Sequence, residues 1–117
     1  MTPTEMARAF LGNIEASRAA LEDGPVGYVL QFEDQMTLIC RKAGGQLRRD
    51  HPLNDDVMVY TTHTTAVVAQ RWWNHHNPDE KVRITLRREA FVAYIDKQQK
   101  AHDTILAIIE LEKRSLL

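Results

Sequence analysis

The chain has 117 residues, of which 44% are hydrophobic and 26% are charged, a balance that predicts one folded domain with a buried core over residues 1–117. Fifteen basic residues against sixteen acidic ones give a net charge of −1, which excludes a general attraction to nucleic acid or to an anionic membrane. No apolar run approaches the roughly 20 residues that cross a bilayer, so we expect no membrane as a partner.

Cys40 is the only cysteine, which excludes an intrachain disulfide and suits a reducing compartment. The segment from Met1 to Glu5 lacks the basic and then apolar run of a signal peptide. We therefore expect a cytoplasmic protein.

The first predicted helix begins with a capping box, in which Thr2 is the N-cap, Pro3 occupies the first helical position and Glu5 completes the pattern. Apolar and small residues then recur at helical spacing, which predicts one buried stripe. The stripe consists of Met6, Phe10, Ile14, Ser17 and Leu21. The following Gly24-Pro25 predicts the end of this helix.

Alternating apolar residues over 28–32 and 36–40 predict a β-hairpin, although Asp34-Gln35 is a weak turn sequence. Gly44-Gly45 ends the second strand, and the polar residues 46–56 are interpreted as a loop. Residues 57–61 predict a third strand, and residues 82–86 a fourth. Between them, a threonine-rich start and a stop at Asn77-Pro78 predict a helix from about Thr64 to His76.

The segment 57–86 has the length and the strand–helix–strand order of a right-handed βαβ crossover. Residue 87 then begins a helix pattern that runs to about residue 116, with no Gly or Pro after Pro78. The predicted fold is therefore α+β, in the order α-β-β-β-α-β-α, with a four-stranded mixed sheet packed by helices and a long C-terminal helix.

That last helix would be about 45 Å long, whereas a compact domain of this size is only about 35 Å across. Two outcomes are open. The helix breaks in its weakest segment, between Gln98 and Asp103, and folds back on the domain. Alternatively, it overhangs the domain and exposes apolar residues that need a partner.

The overhanging helix leads us to expect a non-catalytic interaction protein of the accessory, regulatory or inhibitor type. It would self-associate, as a homodimer, or dock a larger protein through this helix. The predicted interface residues are Trp73, Ile105, Ile108, Ile109, Leu111 and Leu116. On the middle helix, Trp72 falls on the predicted core stripe; Trp73 lies on the flank, either as an interface anchor or packed beneath the last helix.

A second hypothesis is a binding site for a small anion, such as a nucleotide, at the edge of the sheet where two strands lead into helices. The residues expected there are Thr61, Thr62, His63, Thr64, Thr85, Arg87 and Arg88. Arg87 and Arg88 oppose the dipole of the helix they begin, a penalty that a bound anion would reverse. Alternatively, the threonines only cap helices, and carboxylates pair with the arginines.

A third hypothesis is a nucleic-acid-binding regulator that uses Arg48, Arg49 and His51 in the central loop. The acidic balance of the chain favours an ordinary solvated surface instead. No hydrolase, phosphate-loop or metalloprotease motif is present, and the adjacent His75 and His76 diverge on a helix. We therefore expect no enzyme, no metal and no cofactor.

Overall fold

The structure, a computed structural model, describes residues 1–53 and 56–116. Its elements in chain order are α1 (Pro3–Asp23), β1 (Tyr28–Phe32), β2 (Leu38–Arg41), β3 (Leu47–Asp50), α2 (His63–His76), β4 (Val82–Leu86) and α3 (Arg87–Ser115). The α+β class, the order of elements and the long C-terminal helix are confirmed.

The helices begin where their capping residues predict. The Thr2 hydroxyl accepts a hydrogen bond from the Glu5 N–H at 3.2 Å, and Thr62 accepts one from Thr65 at the same distance. Each bond satisfies one of the N–H groups that the first turn of a helix leaves without a partner. These local bonds explain why both helix starts are predictable to within a residue or two.

The four strands lie in the order β3-β2-β1-β4, and all three pairings are antiparallel. The mixed sheet expected from a βαβ crossover is not formed, because the third strand is Leu47–Asp50 and not 57–61. Gly44 and Gly45, with φ of +94° and +88°, turn the chain from β2 into this strand. As an edge strand it contributes only Leu47 to the core, so its sequence has no apolar alternation.

Residues 57–60 make isolated bridges, Val57 with Cys40 and Tyr60 with Tyr28. They find room because β1 and β2 pair only beside their turn, at Gln31 and Leu38. The segment thus bonds to both strands without becoming a strand of the sheet.

The two faces of the sheet carry separate apolar clusters. On one face Trp73 of α2 packs with Leu30 and Phe32, and on the other Phe91 of α3 packs with Val29. The helix α1 covers α3 rather than the sheet. The fold therefore places α2 on one side and the α1–α3 pair on the other.

The prediction for the two tryptophans is reversed in the structure. Trp73 is 7% exposed, meets Phe32 edge-on at 5.8 Å, and donates its indole N–H to the Glu80 carbonyl at 2.7 Å. Trp72 is 53% exposed and stacks on His76. Trp73 is therefore a core residue beneath the sheet, neither an interface anchor nor a neighbour of the last helix.

The turn between β1 and β2 is organised by one carboxylate. Asp34 accepts hydrogen bonds from the N–H groups of Met36 and Thr37, at 2.8 and 3.0 Å, and from the Arg49 guanidinium at 2.6 Å. Gln35 adopts the left-handed conformation, with φ of 58°. Burial alone raises the pKa of Asp34, but these donors outweigh burial and lower the pKa from 3.8 to about 2.

Asp34→Asn is expected to lower the free energy of unfolding at pH 7 by about 1 kcal/mol, a value discounted because 34% of the side chain is exposed. Because the folded-state pKa is depressed, the stabilisation is fully present above pH 3.8 and is lost as the pH falls through about 2. Urea unfolding between pH 7 and pH 2 measures this difference, with Glu33→Gln as an exposed control. If the difference in the free energy of unfolding between the wild type and Asp34→Asn does not change with pH, the lowered pKa of Asp34 is contradicted.

Candidate functional site

The helices α1 and α3 form an antiparallel pair. The Arg87 guanidinium at the start of α3 donates to the Ala20 carbonyl near the end of α1, at 2.7 Å. Ile14 and Ser17 of α1 are buried, and α1 packs on α3. Tyr94 of α3 is buried as well, and its ring lies 6.2 Å from that of His51. The pair thus extends the apolar cluster on its face of the sheet.

The end of α3 extends beyond the body of the domain. The helix runs unbroken for 29 residues, about 44 Å, so the alternative of a turn between Gln98 and Asp103 is not found. The radius of gyration is 16.9 Å, whereas a compact chain of this length has about 13 Å. The chain exposes 7724 Å², whereas a compact monomer of 13.5 kDa exposes about 6,500 Å².

Near this end the helix is apolar on every side. Ile105 to Ile109 is a run of five apolar residues, and at 100° per residue such a run encircles the helix. A single neighbour such as α1 covers only one side. Leu106, Ile108 and Leu111 are accordingly 46%, 41% and 63% exposed, while Ile105 and Ile109 are half-buried. We call Ile105, Leu106, Ile108, Ile109 and Leu111 the distal apolar cluster.

One buried polar group lacks a hydrogen bond just before this cluster. Among the described residues Gln98 Oε1 has no hydrogen-bond partner, which costs roughly 1–3 kcal/mol. His102 Nδ1, one turn further on, makes no hydrogen bond in the described part of the chain but lies 3.7 Å from the Asp103 carboxylate. The segment predicted to be the weakest part of the helix stays helical, with side-chain hydrogen bonds from Gln99 to Asp103 and from Thr104 to the Lys100 carbonyl.

The predicted anion-site residues come together only in part. The His63 ring meets Tyr28 at 5.4 Å, and both line a cavity of about 360 Å³ with Thr85. Thr62 caps α2, and Thr61 and Thr64 are exposed beside it. Tyr28 thus connects the start of α2 with the end of β4. These two strand-to-helix junctions lie close together although no βαβ crossover is formed.

Arg87 points away from that cavity, which corrects the prediction that it gathers with the threonines. It is 7% exposed, and its guanidinium lies 4.1 Å from the Phe91 ring centre. Its hydrogen bond to Ala20 places positive charge at the end of α1, whose last turn holds no basic residue. Burial lowers the pKa of Arg87. Arg88 is exposed.

The arginines of the predicted basic loop are paired with carboxylates. Arg48 contacts Asp50 at 2.8 Å, and Arg49 contacts Asp34 at 2.6 Å and Glu80 at 3.4 Å. These ion pairs match the alternative of a balanced surface. They leave little unneutralised charge for phosphate contacts.

A second exposed apolar surface lies between α2 and β3, and sequence reasoning missed it by placing Trp72 in the core. This α2 groove has a volume of about 460 Å³ and is lined by Leu47, Tyr60, Val68 and Trp72. Val68 is 65% exposed. The groove is the rival of the distal apolar cluster as an interaction surface.

Cys40 lies inside the sheet and is fully buried. Burial, followed by the Asp50 carboxylate, raises the pKa of its thiol to about 12. Within residues 1–53 and 56–116, no three metal-ligating side chains are grouped, and no helix has the length and apolar character needed to cross a membrane. Comparison of the chain with protein-family models, with curated proteins and with solved structures gives no match in any of the three.

Proposed function

We propose that this chain is a non-catalytic interaction protein that self-associates through the distal apolar cluster. The observation that carries this proposal is the encircling apolar run from Ile105 to Ile109, of which α1 covers one side. An amphipathic surface helix has a single apolar stripe, and a helix that is apolar all round is normally buried. A second molecule would bury what α1 leaves exposed.

The exposed area favours a partner of ordinary interface size. The chain exposes about 1,200 Å² more than a compact monomer of its mass. A stable interface buries about 800 Å² per partner. One contact across the end of the helix pair would thus remove most of the excess.

A second copy of the same chain fits this surface well. The last turns of α3 carry both signs of charge: Arg114 pairs with Glu110 of the same helix at 3.6 Å, and Glu112 lies beside Lys113. Two copies related by a twofold axis would place acids near bases at the rim. Packed in this way, two α1–α3 pairs would make a four-helix bundle.

Single-cysteine crosslinking tests the proposed surface directly. The buried, high-pKa thiol of Cys40 should not react, so an introduced cysteine reports on its own position. Ile108→Cys and Leu111→Cys are expected to give covalent dimers at low micromolar concentration on mild oxidation or with a short bismaleimide. Val68→Cys is the control, because Val68 and Leu111 have matched exposures of 65% and 63%.

Equal yields at all three positions would indicate random collisions and contradict the proposal. A dimer formed only by Val68→Cys would move the interface to the α2 groove. An absence of dimer from both α3 variants would also contradict the proposal.

A further inference from the structure

A pocket lies where the end of α1 meets the start of α3. It has a volume of about 250 Å³, and its walls include Pro25, Leu53, Val57, Val59 and Phe91. Among the described residues that line it, Arg87 is the only basic one, and Asp23 lines it as well. The pocket thus combines apolar walls with polar surface, including one cation and one acid.

The guanidinium in this pocket has donors to spare. Arginine carries five N–H donors, and one of its nitrogens donates to the Ala20 carbonyl. In the described part of the chain, no carboxylate forms an ion pair with Arg87, although Asp23 lies nearby. Among the described residues the guanidinium thus has a hydrogen bond but no counter-charge, and a buried cation in that state is costly.

The guanidinium forms part of the pocket wall. Arg87 is 7% exposed and lines the pocket. Gly24 lies so close that a Cβ at that position would overlap the guanidinium. Phe91 holds the guanidinium plane from one side, at 4.1 Å.

We propose that this pocket binds a small monocarboxylate with an apolar body, and that Arg87 is its cation. The planar guanidinium presents parallel donors that match the two oxygens of a carboxylate. The apolar walls suit a hydrocarbon or aromatic body, and the volume equals that of about eight liquid waters. Among the described lining residues there is one cation, and Asp23 repels negative charge, so a ligand with a single negative charge is favoured over nucleotides and other polyanions.

The site is independent of the self-association proposed above, and it differs from the anion site expected from sequence. Arg87 is shared with that expectation, but the threonines are not. The positive end of the α3 dipole lies at the pocket, and its attraction adds to that of Arg87.

An NMR titration of the ¹⁵N-labelled full chain with benzoate, benzamide and inorganic phosphate tests the proposal. Benzoate is expected to shift the amides of Gly24, Val59 and Phe91 saturably, with a dissociation constant in the millimolar range. Benzamide, which has the same shape but no charge, should bind at least about tenfold more weakly, and so should phosphate. If benzamide binds as tightly as benzoate, the pocket recognises only the apolar ring. If phosphate binds as tightly, the pocket is a general anion site, and if benzoate shifts no amide, there is no site. Each of these three results overturns the proposal.

Two matched variants locate the cation. Arg87→Gln keeps a donor for Ala20 but removes the charge, and it should weaken benzoate binding about tenfold or more. The exposed neighbour provides the control, because Arg88→Gln should bind as the wild type does. If Arg87→Gln does not fold, the comparison of benzoate with benzamide on the wild-type protein still tests whether binding requires the negative charge of the ligand. Retained binding by Leu111→Glu would separate this site from the self-association surface.

Discussion

Changing Ile108 and Leu111 together to glutamate is expected to leave the protein monomeric at micromolar concentration. Both side chains are exposed in the isolated chain, at 41% and 63%, so the charges remain in water as long as the chain is alone. In a dimer they would be buried against apolar residues without partners, which is strongly unfavourable. We expect the dissociation constant to rise at least about a hundredfold, or about 2.7 kcal/mol.

The same exposure predicts little change in the monomer itself. Surface substitutions away from special features usually change the free energy of unfolding by about 0.5 kcal/mol or less. If the mass of the double variant in solution falls to that of a monomer while its circular dichroism spectrum stays native, the substitutions act on the interface and not on the fold. Loss of helix in the variant would instead assign these side chains to the folded core.

Val68→Glu is the control and also tests the rival surface. Its exposure of 65% matches that of Leu111, but it lies in the α2 groove, on the other side of the sheet. If Val68→Glu dissociates the protein and the α3 variant does not, self-association uses the groove. Leu106→Glu, at 46% exposure in the distal apolar cluster, should behave like the α3 double variant.

Trp73→Ala is expected to lower the free energy of unfolding by about 3–5 kcal/mol, whereas Trp72→Ala should change it by less than about 1 kcal/mol. Trp73 fills the space between α2 and the sheet against Phe32, and its removal also leaves the Glu80 carbonyl without its indole donor. Trp72 makes its ring contact with His76 at the surface.

Chemical denaturation of the two variants measures the difference, and each is the natural control for the other because the residues are adjacent and identical. Tryptophan fluorescence gives a second readout. The Trp72→Ala protein should keep the blue-shifted emission of buried Trp73, and unfolding should shift that emission to the red. Equal destabilisation by both changes would contradict the orientation of α2 described above.

Much of the fold is predictable because its signals are local. The capping bonds of Thr2 and Thr62 connect residues three apart, and the absence of Gly and Pro after Pro78 favours the uninterrupted α3 over a break between Gln98 and Asp103. Alternation over 28–32 and 82–86 likewise matches β1 and β4.

The sheet topology was not predictable from such signals. As an edge strand, β3 tolerates Arg48 and Arg49 because one of its residues suffices for the core. Residues 57–60 alternate like a strand but only bridge two strands. The choice between Trp72 and Trp73 depends on which side of α2 meets the sheet, since adjacent positions differ by 100°.

The candidate sites, like the fold, have features that the local sequence predicts and features that depend on tertiary contacts. The apolar run at 105–109 is visible in the sequence, and the length of the predicted helix allows an overhang as one of two outcomes. The side of this run that α1 covers depends on the tertiary packing of the two helices. Arg87 reaches the carbonyl of Ala20, which lies 67 positions earlier in the chain. No local pattern indicates a contact between residues so far apart, so the sequence predicts the wrong neighbours for Arg87.

Self-association is tested most directly by the mass of the wild-type protein in solution. Sedimentation equilibrium at moderate salt, across low to high micromolar concentration, measures mass independently of shape. This matters because a chain 59 Å long and 25 Å thick elutes from a sizing column like a larger protein. We predict a mass of twice 13.5 kDa, with a melting temperature that rises with concentration. A mass of 13.5 kDa at every concentration, with a constant melting temperature, would contradict the proposal.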